Sequence, residues 1–217
     1  MNINKIKKLL IPLFCFLLLI LNSSTTADLS GASSSGGSHG GGGWWSEVWD
    51  ATAIDGFGSW NTTTINADRC MRQVIRSADT SGSGSKIRIN VINSSGVVTT
   101  ILTNTMICVR NGASDDCVAT GTDIKWNGGN DGFTVPVSTI SRSDEATYSF
   151  DTNTNYLVAI CYADGSNQNY ENVTPDLWYI SYECSTECDP DDVTVVAEDF
   201  GGFVAVLDSI EVWSTTK

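Results

Sequence analysis

The sequence predicts an all-β protein, an antiparallel β-sandwich of jelly-roll-like form stabilised by disulfides, and three observations carry that prediction. Apolar and polar residues alternate over short runs, as in Lys86-Ile87-Arg88-Ile89-Asn90-Val91-Ile92-Asn93, where Ile87, Ile89 and Val91 share one face. Turn residues interrupt such runs at a spacing of roughly 8–12 residues, and no long window shows a helical stripe. Six of the seven cysteines lie beyond residue 27, an even number that reads as a disulfide framework.

The first residues set the compartment. Lys5, Lys7 and Lys8 precede an apolar core from Leu9 to Leu21, broken only by Pro12, and Thr25-Thr26-Ala27 supplies small residues ahead of Asp28. Residues 1–27 thus read as a Sec-type signal peptide, with the protein secreted, extracellular or at the cell surface, and no membrane insertion after cleavage. Cys15 lies in the apolar run, but Pro12-Leu13-Phe14 lack the small residue of a lipoprotein site.

Without residues 1–27 the chain keeps 9 Lys+Arg against 25 Asp+Glu, moving the net charge from −13 to −16. A field of that sign argues against nucleic acid or an anionic membrane as partner. Residues 28–43 form a Gly/Ser-rich flexible leader that cannot bury apolar surface. His39, the only histidine, falls in it and reads as solvated. Residues 44–217 make one sandwich domain, long enough for one good core.

Within that domain, strands are expected at 71–76, 86–93, 97–102, 105–110, 122–126, 132–135, 146–150, 156–162, 177–183, 193–197 and 203–212. Asn93-Ser94-Ser95-Gly96 forms a turn, and Tyr156 to Tyr162 is apolar enough for a central strand buried on both faces. Six cysteines allow 15 pairings. Cys108 and Cys117 bracket a polar loop containing Asn111-Gly112, and Cys184 and Cys188 close a tight one. Cys70 and Cys161 remain, in or beside strands, to join distant parts of the sheet. A zinc site is disfavoured, because Cys-x-x-Cys pairs are absent and there is a single histidine.

A run of short motifs has a family likeness. Met71-Arg72-Gln73-Val74-Ile75-Arg76 and Gly84-Ser85-Lys86-Ile87-Arg88-Ile89 are followed by Asn93 and Gly96 in the turn. Then come Thr122-Asp123-Ile124-Lys125-Trp126-Asn127-Gly128-Gly129, Thr134-Val135-Pro136, Ser143-Asp144-Glu145 and Tyr156-Leu157-Val158-Ala159-Ile160. Over roughly 90 residues, their order and spacing resemble the β-sandwich domain that precedes the catalytic domain of some secreted bacterial SGNH/GDSL-type esterases. The resemblance implies a sandwich fold and no chemistry of its own. The Gly-Asp-Ser block of those enzymes has only Leu207-Asp208-Ser209 as a counterpart here, with leucine for glycine and eight residues after Ser209. No Asp/His pair follows to activate the hydroxyl, so Asp208-Ser209 reads as a bulge or turn in the last strand, and no catalytic residue is expected.

The remaining chemistry lies in acids and aromatics. Asp189, Asp191 and Asp192, next to Cys188, are weak calcium candidates, with solvated acidic turns as the plainer reading; otherwise no cofactor is expected. Scattered acids give no sign of a glycosidase pair. Trp44, Trp45, Trp49, Trp60, Trp126, Trp178, Tyr179 and Tyr182 are candidate ligand-binding residues, since exposed Trp and Tyr stack on sugar rings or anchor interfaces, although core packing competes for each. Asn61, Asn93 and Asn172 begin glycosylation triplets.

These readings point to a non-catalytic module that binds carbohydrate or a cell-surface glycan. The alternative is a self-assembling filament or matrix subunit, in which the leader and Trp44-Trp45 engage a neighbouring copy.

Overall fold

The computed structural model describes residues 42–54, 57–64, 69–114, 116–172, 178–181, 203–205 and 207–215. They are all-β, with two 3-10 turns, Ala51–Ala53 and Ser77–Asp79, as the only helical turns among the described residues.

Two antiparallel sheets pack together. In the first, β1 (Trp44–Asp50) pairs with β14 (Leu207–Ser214), which pairs with β4 (Gly84–Asn93). The far side of β4 carries both β8 (Thr139–Arg142) and β9 (Ala146–Phe150). The second sheet runs β12 (Trp178–Ser181), β3 (Arg69–Ile75), β10 (Tyr156–Tyr162), β5 (Thr100–Val109), β6 (Thr122–Asp123), with β7 (Phe133–Val135) also on β5. A smaller sheet joins β13 (Phe203–Ala205), β11 (Asn167–Asn172) and β2 (Asn61–Thr64).

The alternation read from the sequence builds the core. Ile87, Ile89 and Val91 of β4 stand beside Val212, Ile210 and Leu207 of β14, and all six are buried. They form one cluster with Ile75, Leu102, Ile107, Tyr156, Val158 and Ile160 of the second sheet. Phe150 stacks on Tyr156 at 4.4 Å between ring centres, linking the two layers. Every residue of β10 is buried, because the strand lies between β3 and β5 and is apolar throughout.

Both disulfides expected within the described residues are present. Cys70 and Cys161 sit directly opposite each other on β3 and β10, and Cys108 joins Cys117 across the polar loop. Disulfides fit an extracellular protein. Among the described residues, no helix is long and apolar enough to cross a membrane. The Cys184–Cys188 pairing and the strand at 193–197 lie outside the described residues.

Several strand boundaries differ from expectation. The runs at 97–102 and 105–110 merge in one strand, β5, because Asn104 pairs with Cys161 and Thr103 is taken up at a register shift before Leu102 pairs with Tyr162. The run at 122–126 shortens to Thr122–Asp123, and Trp126 instead forms an isolated bridge with Asn130. The run at 203–212 divides into β13 and β14, with a bulge between Leu207 and Ser209. That bulge is what Asp208-Ser209 led us to expect. Strands β1, β2, β8 and β11 were not anticipated.

Candidate functional site

With Ile87, Ile89 and Val91 turned inward, the alternate residues of β4 stand on the outer face of the first sheet. Register then assembles a polar cluster. Arg88 is opposite Glu211, which is opposite Glu47; Asn90 lies between Ser209 and Arg142; Lys86 is opposite Trp213, which is opposite Trp45.

These side chains are wired together. Arg142 donates from Nε to Asn90 Oδ1 at 3.2 Å and from Nη2 to Glu211 Oε1 at 2.8 Å. Asn90 Nδ2 donates to Ser209 Oγ at 3.0 Å, and Ser209 Oγ donates to Asp208 Oδ2 at 3.2 Å. Although on the outer face, Asn90, Ser209 and Glu211 are 5 %, 2 % and 4 % exposed. Buried polar groups are costly unless paired, and each of these three has its partner.

The bulges add carboxylates. One between Glu47 and Trp49 shifts β1 so that Asp50 pairs with Ser209, bringing Asp50 and Glu47 to the neighbourhood of Asp208. Burial, opposed by the Ser209 hydrogen bond and reinforced by the charges of Asp50 and Glu47, pushes the Asp208 carboxyl up to about 6. Glu47 is raised too, first by burial and then by Asp50, with Ser209 opposing.

Beside this network lie aromatic rings and an open cleft. The Arg88 guanidinium stacks over the Trp45 ring, 3.9 Å from its centre, and Trp45 meets Trp213 at 5.7 Å with planes tilted by 57°. A cleft of about 450 Å³ opens between Arg88, Arg142, Ser143, Asp144 and Glu145. Its floor is fixed: Ser143 Oγ accepts from the Ile89 amide and donates to the Asp144 carbonyl. The Asp144 carboxylate accepts from the Gly128 and Gly129 amides at 2.8–3.1 Å. Asn127, Gly128 and Gly129 have φ of 46°, 84° and 107°, so this turn points successive N–H groups at one carboxylate, and glycine suits the last two positions. Glu145 pairs with Lys86 at 2.8 Å.

The structure sorts the candidate aromatics. Trp45 belongs to the site, and half-buried Trp44 precedes it on β1. Trp49 and Trp126 are corrected to core residues: they are 2 % and 0 % exposed and leave no ring face for a ligand. Trp126 stacks on Phe133 and donates its Nε1–H to Thr105 Oγ1 at 3.2 Å. Trp60 packs edge-on against Phe57. Trp178 and Tyr179 lie on β12, opposite Gln73 and Arg72. Tyr182, Asp189, Asp191 and Asp192 fall outside the described residues. Among the described residues, no group of three or more His, Cys, Asp or Glu is placed to hold a metal ion.

Glycosylation at Asn93 is also corrected. Its side chain is fully buried and its Nδ2 donates to the Val98 and Val135 carbonyls, so no glycan can be attached there, whereas Asn61 is exposed.

Sequence reasoning missed Arg88, Arg142, Asn90, Glu47, Glu211 and Trp213 as site residues. The outward set on β4 was visible in the alternation, but its partners come from strands 50 or more residues away, joined only by register. Comparison with known protein families finds no matching family, and comparison with curated proteins finds no match, so the face between Trp45 and Arg142 is interpreted from its own geometry.

Proposed function

We propose that this protein is a secreted, non-catalytic glycan-binding module and that it binds carbohydrate on the outer face of the β1-β14-β4-β8 sheet. The observation that supports the reading best is the cleft of Arg88, Arg142 and Glu145 set against the Trp45–Trp213 pair. Sugars are recognised by rings that cover their apolar C–H faces and by planar groups that hydrogen-bond adjacent hydroxyls. Trp45, Trp213, Arg88 and Arg142 all stand on strands, and the Arg142–Asn90–Ser209 wiring holds the polar groups in place before any ligand arrives.

The test is a glycan array probed with the purified protein and with Trp45→Ala. Binding to one glycan class that weakens at least about tenfold in the variant supports the reading, and a blank array with folded protein overturns it.

A second reading, self-association, draws on one observation: β1 is the outer strand of its sheet among the described residues. The bulge between Glu47 and Trp49 and the acidic side chains of Glu47 and Asp50 blunt that edge against strand addition, which favours the glycan reading.

A further inference from the structure

We infer that the ligand of this cleft carries a carboxylate, making it a uronic-acid-bearing glycan; the inference rests on the proposed glycan-binding reading and specifies its substrate class. Charge distribution is the first support. Only 9 Lys and Arg lie beyond residue 27, against 25 Asp and Glu, yet three of them, Lys86, Arg88 and Arg142, converge on this one face, where they stand among Glu47, Glu145 and Glu211.

The second support is which groups are already engaged. Both acids on the cleft wall are committed: Asp144 to the Gly128 and Gly129 amides, Glu145 to the Lys86 ammonium. The two arginines, although ion-paired, keep N–H groups that are not. Arg142, with a side chain 48 % exposed, spends Nε and one Nη2 hydrogen on Asn90 and Glu211, which leaves three of its five N–H groups. Arg88 is more telling. Its nearest carboxylate oxygen, on Glu145, is 3.8 Å away and too far for a hydrogen bond, so its guanidinium makes none among the described residues. The Arg88 guanidinium carbon nevertheless lies over the Trp45 ring, 3.9 Å from its centre, a cation–π contact that restrains the fork.

A planar guanidinium whose N–H groups make no hydrogen bond among the described residues is matched by a planar, two-oxygen anion, and a carboxylate satisfies two of those N–H groups at once. A sugar hydroxyl would satisfy one. A uronate would place its carboxylate on the Arg88 fork and its hydroxyls toward Arg142 across the cleft, with Trp45 backing Arg88. The overall negative charge does not forbid this, because exposed charges more than about 8 Å away are largely screened at physiological salt.

The experiment compares polygalacturonate with the same polymer after its carboxyl groups are reduced to alcohols, and with dextran sulfate and a neutral glucan, by affinity electrophoresis of the wild-type protein. We expect retardation by polygalacturonate, a loss of at least about tenfold on carboxyl reduction, and weaker retardation by dextran sulfate. Arg88→Gln should reproduce that loss, and Arg88→Lys, which keeps the charge without the fork, should not restore it. Equal binding to the reduced polymer or to dextran sulfate overturns the inference. Binding to the neutral glucan alone overturns it while leaving the glycan-binding function standing. No binding to any polymer or to any member of the glycan array brings down both.

Discussion

Arg142 on β8 reaches across β4 to place its Nη2 2.8 Å from the Glu211 carboxylate on β14, and its Nε on Asn90 between them. One guanidinium thus ties three strands across the outer face of a sheet, and Glu211, 4 % exposed, relies on it for charge compensation.

Removing that cation should therefore cost stability. Arg142→Ala leaves a buried carboxylate facing Asn90 alone, and we expect a loss of about 2–3 kcal/mol, below the range for fully buried pairs because Arg142 itself is half exposed. Adding Glu211→Gln to that variant should recover part of the loss. Urea denaturation of the single and double variants measures both, and equal stability of Arg142→Ala and wild type would contradict the arrangement.

The bulge residue Asp208 makes stability depend on pH. Its folded-state pKa, about 6, lies above its ordinary value of 3.8, so the native state holds the proton more tightly than the unfolded chain. The stabilisation is complete below about pH 4 and is lost as pH rises through 6, a change of at most about 3 kcal/mol. Asp208→Asn should be more stable than wild type at pH 7, with the gap closing toward pH 4 in denaturation curves taken at each pH. A constant gap would mean that Asp208 is not the group responsible.

The two described disulfides should differ in effect. Chain-entropy reasoning gives about 4.5 kcal/mol for Cys70–Cys161, 91 residues apart, and about 2.5 kcal/mol for Cys108–Cys117, 9 apart. Paired Cys→Ala replacement at each bridge, followed by thermal or urea denaturation, should rank them in that order.

Two tryptophans should part company under substitution. Trp126→Ala opens a cavity in the core and loses the stack on Phe133, costing about 3–5 kcal/mol. Trp45→Ala, at a half-buried outer position, should act mainly on ligand binding, with a smaller shift in the denaturation midpoint.

The fold was legible where the pattern was local. The strands at 146–150 and 156–162 match their expected limits, and the inward face of β4 follows from its alternation. Strand β1 was hidden because the bulge between Glu47 and Trp49 breaks the two-residue period, turning Trp45 outward and Trp49 into the core. The middle of β5 reads as a gap between two strands because Thr103 and Asn104 are polar, yet the neighbouring Thr105 is buried and accepts the Trp126 indole hydrogen. Half of the site was present in the sequence as Trp45 and the polar side of β4. The other half, Arg142 and Glu211, is brought in by strand pairing at separations of 52 and more residues, which no window of sequence records.

The proposed function requires that the Trp45–Arg88–Arg142 face takes a glycan. Affinity electrophoresis of wild type, Trp45→Ala and Arg88→Gln through gels containing polysaccharide tests it most directly. The expected result is retardation of the wild-type protein by a uronate polymer and near-free migration of both variants, each still folding cooperatively in thermal denaturation. Identical mobility of all three proteins in every gel would contradict it.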